Sequence, residues 1–203
     1  MELGAIGFDA PPLVLAIPNG GVAVAVPITQ ALEADLDLII VRKLQIPHNP
    51  EAGFGAVTSL GSVILNQPLV DRIGLTKAQI QAVIKQTEQQ IRQRQQTYAQ
   101  VLRPITPKNR AVILVDDGLA SGYTMLAAIE SVLTFKPNMI IVAVPTASVG
   151  AIEKVKPMVD TLVCPHTPAG FIFAVADAYQ HWYDVPDEEV LSLLSILKGT
   201  KKC

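Results

Sequence analysis

The sequence predicts an α/β domain built on a doubly wound, mainly parallel sheet flanked by helices. Two observations carry that expectation. Short aliphatic runs recur at 13–17 (LVLAI), 36–41 (LDLIIV), 111–115 (AVILV), 139–144 (MIIVAV) and 160–164 (DTLVC), and none alternates polar with apolar residues. Strands of that kind are covered on both faces. Helix-like segments lie between them at 22–34, 122–135 and 149–156, and alternation of the two patterns is characteristic of parallel α/β architecture.

Along the chain, Pro27 falls inside the first helical pattern and predicts a kink or a later helix start. Residues 53–66 (GFGAVTSLGSVILN) read as a β-hairpin turning around Ser59 to Gly61. TKAQ at 76–79 then opens a long amphipathic helix with a capping box. Its apolar positions Ile80, Val83, Ile84, Ile91, Tyr98 and Val101 keep helical spacing against a Gln-rich face. That helix reads as a structural element with one solvated side, or as a dimer surface. Hairpin and helix form an insertion at 53–104 in a single domain spanning 1–203, followed by a hood region at 165–186. Aromatic residues cluster from Phe171 to Tyr183, and DEEVLSLLSIL (187–197) reads as a C-terminal helix with acids in its first turn.

Composition narrows the function. At 203 residues, half of them hydrophobic and 17% charged, the chain has enough apolar material for one substantial core. A net charge of −2 lacks the basic excess of a nucleic-acid binder. Cys164 and Cys203 form neither a metal-ligand spacing nor a disulfide framework, which predicts a reducing, cytoplasmic setting. Cys164 is expected to pack as a small hydrophobe. Glu2 and Asp9 stand where a signal peptide would be basic, and the apolar stretch from Leu13 to Ile28 is broken at 18–21. A soluble protein with no membrane partner is expected. His48, His166 and His181 show no ligand spacing, so structural or solvent roles are the default for each.

The stretch 112–125, VILVDDGLASGYTM, places two adjacent acids at the end of a hydrophobic strand, before a loop of small residues. Gly118, Ala120, Ser121, Gly122 and Thr124 supply backbone amides and two hydroxyls that suit a phosphate. Asp116 and Asp117 suit vicinal sugar hydroxyls, because carboxylates accept hydrogen bonds. The combination fits a ribose 5-phosphate. In doubly wound sheets ligands bind beyond the carboxyl ends of the strands. NGG (19–21), RK (42–43) and DDGLASG (116–122) all fall there, and three polar loops are expected to converge on one edge. A receiver domain also pairs acids at a strand end, but only 86 residues follow Asp117 and no strand-terminal aspartate or lysine is found among them. Neither a Walker A sequence nor GxGxxG is present.

VILVDDGLASGYT resembles the phosphoribosyl-diphosphate (PRPP) signature of type I phosphoribosyltransferases. Most of the chain is similar to predicted bacterial members of undetermined substrate, through LAIPNGGVAVA (15–25), VRKLQIPHNPEAGFGAV (41–57), VAVPTA (142–147) and FAVADAYQHWYDVPDEEV (173–190). The resemblance implies PRPP and a small-molecule acceptor as substrates, Mg²⁺ as cofactor, and a homodimer. Asp116 and Asp117 would bind the ribose hydroxyls and hold Mg²⁺ through water. Gly118, Leu119, Ala120, Ser121, Gly122, Tyr123 and Thr124 would wrap the 5-phosphate. Asn19, Gly20 and Gly21 would form the pyrophosphate loop, with Arg42 and Lys43 neutralising the leaving group. Residues 44–62 resemble a mobile segment that closes over the site, where His48 could touch phosphate. Phe173, Tyr179 and Trp182 would form a hood over the acceptor.

The implied reaction is displacement of pyrophosphate from ribose C1 by an acceptor, commonly nitrogen, as in nucleotide metabolism. Four positions depart from the pattern. Asn19 stands where relatives usually carry arginine, and Ala99 replaces a basic residue after the tyrosine. Gly118 replaces a common aliphatic side chain, and Ala120 replaces the acid that 6-oxopurine enzymes use as general base. Asn19 leaves open an alternative, a PRPP- or nucleotide-sensing regulator without turnover.

Overall fold

Five parallel strands make the main sheet, and three antiparallel strands make a second, smaller one. The computed structural model describes residues 3–47, 49–168 and 173–200; His48, Phe171 and Cys203 lie outside the described residues. The elements in chain order are β1 (Leu13–Ala16), α1 (Gly20–Ala31), β2 (Asp35–Leu38), β3 (Val41–Ile46), β4 (Asn49–Thr58), β5 (Val63–Leu65), α2 (Gln67–Ile73) and α3 (Lys77–Tyr98). They continue with β6 (Ala111–Val115), α4 (Tyr123–Leu133), β7 (Met139–Ala143), α5 (Val149–Val155), β8 (Thr161–Val163) and α6 (Asp187–Thr200).

The main sheet has the order β2-β1-β6-β7-β8, parallel throughout. Its strands feed two separate cores. Val14, Ala16, Ile113, Val115, Ile141 and Ala143 face one, shared with Val22 and Ala25 of α1 and with Val190 and Leu194 of α6. Leu13, Leu15, Val112, Leu114, Ile140 and Val142 face the other, shared with Met125 and Ile129 of α4 and with Ala151 and Val155 of α5. Burial on both faces is why these strands read as unbroken aliphatic runs.

Two expectations about local structure are corrected. α1 starts at Gly20 and continues through Pro27, so the later helix start is not found. Pro27 and Ala23 are both on the exposed face, so the carbonyl deprived of its partner by the proline ring can turn to water. The run 36–41 is also not one strand: β2 ends at Leu38, and Val41 opens β3 in the other sheet. The inserted unit therefore begins at Val41 rather than 53. β3 pairs antiparallel with β4, and β4 with β5 through the hairpin turn at 59–62.

This second sheet is tied to the main body at buried points. Leu44, Phe54, Ala56 and Val57 are buried, so the segment 44–62, expected as a mobile lid, is anchored in the core at Leu44 and again from Phe54 to Val57. Thr58 and Ser131 bridge β4 to α4 through a buried hydroxyl pair 2.6 Å apart. The capping box predicted at the start of α3 is formed reciprocally by Thr76 and Gln79. Ile91 and Tyr98 bury its apolar stripe, with Ile80, Val83, Ile84 and Val101 packed partly against the same core.

Candidate functional site

The strand order reverses at β1, whose neighbours are β2 on one side and β6 on the other. A doubly wound sheet opens its ligand crevice at such a switch point. Ala16 and Val115 are register partners, so β1 and β6 end level with each other. Asn19–Gly21 follow the first and Asp116–Asp117 the second, and they meet. A Cβ at Gly20 would collide with the Asp117 carboxylate, and one at Gly21 would lie 2.8 Å from the Val115 carbonyl. Two glycines are therefore what lets the start of α1 lie against the acid pair. The Pro18–Asn19 peptide between β1 and α1 is cis.

The acids are strongly biased against carrying two charges. Burial, reinforced by the neighbouring Asp117 charge, pushes the Asp116 carboxyl well above its ordinary value. Burial also raises Asp117, with Asp184 adding to the effect. Asp116 Oδ1 accepts the Asp117 amide at 2.9 Å, which fixes the carboxylate without supplying a cation. A buried acid pair of this kind favours a proton or a metal between its members.

The loop between β6 and α4 is held from outside. The Leu119 carbonyl accepts from the Ser148 amide at 2.9 Å, the Ala120 carbonyl from Ser148 Oγ at 2.7 Å, and the Ser121 carbonyl from Lys154 Nζ at 3.1 Å. With three successive carbonyls engaged, the loop's amides are the donors left to an anion. Gly122, at φ +82°, turns the chain into α4 in a left-handed conformation and provides no side-chain cap. The first amides of α4 stay available, as an anion site requires. Leu119 is a correction to the expected ligand set. Its side chain is buried, its amide is spent on the Thr146 carbonyl at 3.0 Å, and it pins the loop instead of touching a ligand.

The basic pair on β3 divides, because neighbouring side chains on a strand point to opposite faces. Lys43 lies across Gly53 and borders a cavity with Gln86, Thr87 and Gln90 of α3. Arg42 lies within electrostatic reach of Arg94 and Asp187, and burial together with the Arg94 charge lowers its pKa. Arg42 thereby lies near the group around Asn19.

What the sequence reading missed is the group that surrounds Asn19. Its Nδ2 donates to the Val185 carbonyl at 2.6 Å and to Asp187 Oδ1 at 2.9 Å. Its Oδ1 accepts from Arg94 Nη2, and the Tyr98 hydroxyl lies 3.1 Å away. Arg94 also pairs with Asp187 at 2.6 Å and donates from Nε to the Tyr98 hydroxyl at 3.3 Å. Burial alone would raise the Asp187 carboxyl, but bonds from Asn19, Arg94 and Tyr98 hold it below its ordinary value. A detectable signal existed: Arg94 and Tyr98 are one helical turn apart, on the side of α3 that carries its apolar stripe.

The hood is fastened to the acid pair. Tyr179 donates its hydroxyl to the Asp117 carbonyl at 2.6 Å and meets the Trp182 ring edge-on at 5.1 Å. Burial, then the charges of Asp117 and Asp116, pushes Tyr179 up to about 12, so it remains a donor. Gly118, a departure in sequence, has a structural reason: a Cβ there would fall 2.7 Å from Val175. The hood's valine occupies the room that an aliphatic residue at 118 would take. Thr146 borders the same space and pairs with His166 Nδ1 at 3.1 Å. Cys164 packs partly against the second core and sits 3.2 Å from the His166 carbonyl.

For a divalent cation the donor set is two adjacent carboxylates. Among the described residues no group of three or more His, Cys, Asp or Glu could form a closed protein cage. Mg²⁺ is ordinarily held by one or two carboxylates plus water and substrate oxygens, so the pair fits that role. A cavity of about 430 Å³ lies away from the acids at the β2 edge, lined by Leu15, Asp37, Leu102, Ile105 and Phe135. Asp37 closes it structurally, accepting the Leu38 and Ile105 amides at 2.8 Å each. Among the described residues, no helix is long and apolar enough to cross a membrane.

A parallel sheet with an acid pair and a small-residue loop at its switch point defines a doubly wound α/β domain with its crevice at the carboxyl ends of β1 and β6. The phosphoribosyl transferase domain family matches residues 59–180, and the chain belongs to that family. Two Mycobacterium tuberculosis relatives, "Putative phosphoribosyl transferase MT0597" of strain CDC 1551 / Oshkosh and "Putative phosphoribosyl transferase Rv0571c" of strain ATCC 25618 / H37Rv, are each 33% identical over 182 residues. Those matches cover 90% of this chain but 41% of the relatives, so the chain spans less than half their length. The crystal structure of TT1426 from Thermus thermophilus is 34% identical, with a TM-score of 0.77 over 94% of this chain and 89% of that one. The predicted fold class and family are both borne out.

Proposed function

We propose that this domain transfers the phosphoribosyl group of PRPP to a nitrogenous small-molecule acceptor and releases pyrophosphate. The observation that carries the reading is the packing of Gly20 against Asp117 at the switch point, beside an anion loop whose carbonyls are tied outward. Sugar diol, 5-phosphate and diphosphate then each have a matching surface.

The chemistry follows from those surfaces. The bond between C1 and the diphosphate oxygen breaks, its electron pair leaves with pyrophosphate, and the acceptor nitrogen bonds to C1 as its proton passes to the departing pyrophosphate. Asp116 and Asp117 orient the ribose hydroxyls and face the positive charge that develops on the ring. The amides of residues 120–124 fix the 5-phosphate, so that C1 is held between leaving group and acceptor. Mg²⁺, when held by the acid pair, supplies charge neutralisation for the diphosphate. Tyr179, Trp182 and Val175 of the hood cover the acceptor side and limit water. Ala120 leaves that loop without a carboxylate base, which argues against hypoxanthine or guanine as acceptor.

The test is Mg²⁺-dependent pyrophosphate release from PRPP across a panel of nitrogenous acceptors. Binding of PRPP without release by any acceptor would support a sensing regulator. The reason to favour that alternative was the missing charge at Asn19, and Arg94 beside Asn19 weakens it.

A further inference from the structure

We infer that Arg94, on the inserted helix α3, is the pyrophosphate-side cation of this chain, delivering a guanidinium beside Asn19. The inference rests on the phosphoribosyl transfer reading and adds a residue to it.

Three observations support the assignment. Arg94 Nη2 donates to the Asn19 side chain at the first position of the loop that abuts Asp117. Its direction is fixed from two sides by Asp187 at 2.6 Å and by the Tyr98 hydroxyl at 3.3 Å, so the guanidinium is held in place before any ligand arrives. The local charge does not close: Arg42 and Arg94 face a single carboxylate, Asp187, and Arg42 Nε is buried with no acceptor among the described residues. Two guanidinium groups near one carboxylate leave an excess positive charge that a diphosphate would satisfy, since arginine forks match phosphate oxygens. A purely structural clamp would need only Arg94 and Asp187.

This changes the expectation for Asn19→Arg. In the wild type a second guanidinium would be placed against Arg94, and no gain is expected. With Arg94 truncated, the same substitution should restore what was lost.

The experiment measures binding of inorganic pyrophosphate with Mg²⁺, and separately of ribose 5-phosphate, by calorimetry. Wild type, Arg94→Met, Arg94→Lys and the double variant Asn19→Arg/Arg94→Met are compared, with thermal unfolding as the fold control. Arg94→Met is expected to weaken pyrophosphate at least roughly tenfold, the order of one lost charge-assisted pair, and to move ribose 5-phosphate by less than about threefold. Arg94→Lys should fall between, and the double variant should recover most of the affinity. Equal losses for both ligands, unchanged pyrophosphate affinity, or a folded double variant without recovery would overturn the inference while leaving the transfer reading intact. A wild type that binds neither ligand would sink both. If Arg94→Met does not fold, the Arg94→Lys and double-variant comparisons decide.

Discussion

The Asp117 carboxylate occupies the space that a side chain at Gly20 would need. This one relationship joins the ends of two parallel strands that lie about 100 residues apart in sequence. It makes the smallness of residue 20 a condition of the site, independent of any backbone torsion.

Gly20→Ala is accordingly expected to push Asp117 or the start of α1 aside. Overpacking of this kind costs roughly 1–3 kcal/mol, so PRPP affinity should fall about tenfold to a hundredfold. Calorimetry on the folded variant measures it. Unchanged affinity would mean that the acid pair and the loop need not stay in register.

Asp116→Asn should stabilise the free protein while destroying Mg²⁺-dependent binding. The Asp116 and Asp117 carboxyls sit above their ordinary values in the fold, so the folded state holds protons more tightly than the unfolded chain. The stability they contribute is full below the ordinary carboxylate range and is lost as pH rises through the raised values. Removing one charge should flatten that decline and raise stability at neutral pH. Urea unfolding followed from the ordinary carboxylate range upward in pH reads both the gain and the slope.

Much of this was legible because it is local. The aliphatic runs matched four of the five main strands to within a residue, since burial on both faces leaves a continuous apolar signature. The capping box at Thr76–Gln79 is a contiguous motif and forms as read, and the acid pair directly follows the end of β6 at Val115. What stayed hidden is non-local. Ile39, Ile40 and Val41 form one apolar run, yet the chain passes from one sheet to another within it, with no glycine or proline to mark the change. Arg94 lies one turn before Tyr98 on the apolar side of α3, but nothing near it in sequence announces Asn19 or Asp187 as partners. Gly118 looks like a defect until Val175, far along the chain, is seen filling its space.

The hood yields a third prediction. Tyr179→Phe removes the bond to the Asp117 carbonyl, worth about 1 kcal/mol. Its main effect should be on the acceptor, raising the acceptor KM several-fold, on the order of what 1 kcal/mol allows. PRPP affinity should change by less than about threefold. Steady-state kinetics with the best acceptor separates the two, and a loss confined to PRPP would move Tyr179 out of the acceptor surface.

Asp37→Ala serves as a structural control. Both Asp37 oxygens accept backbone amides that would be left without partners, at a cost of roughly 1–3 kcal/mol. Thermal unfolding should register that loss, while PRPP affinity below the transition stays at the wild-type value.

The most direct test of the central claim is titration of PRPP, with and without Mg²⁺, into wild type and into Asp116→Asn/Asp117→Asn. Binding that requires both the metal and the two carboxylates is the predicted result. Equal binding by the folded double variant, or none by the wild type, would contradict the assignment of this acid pair to a phosphoribosyl donor.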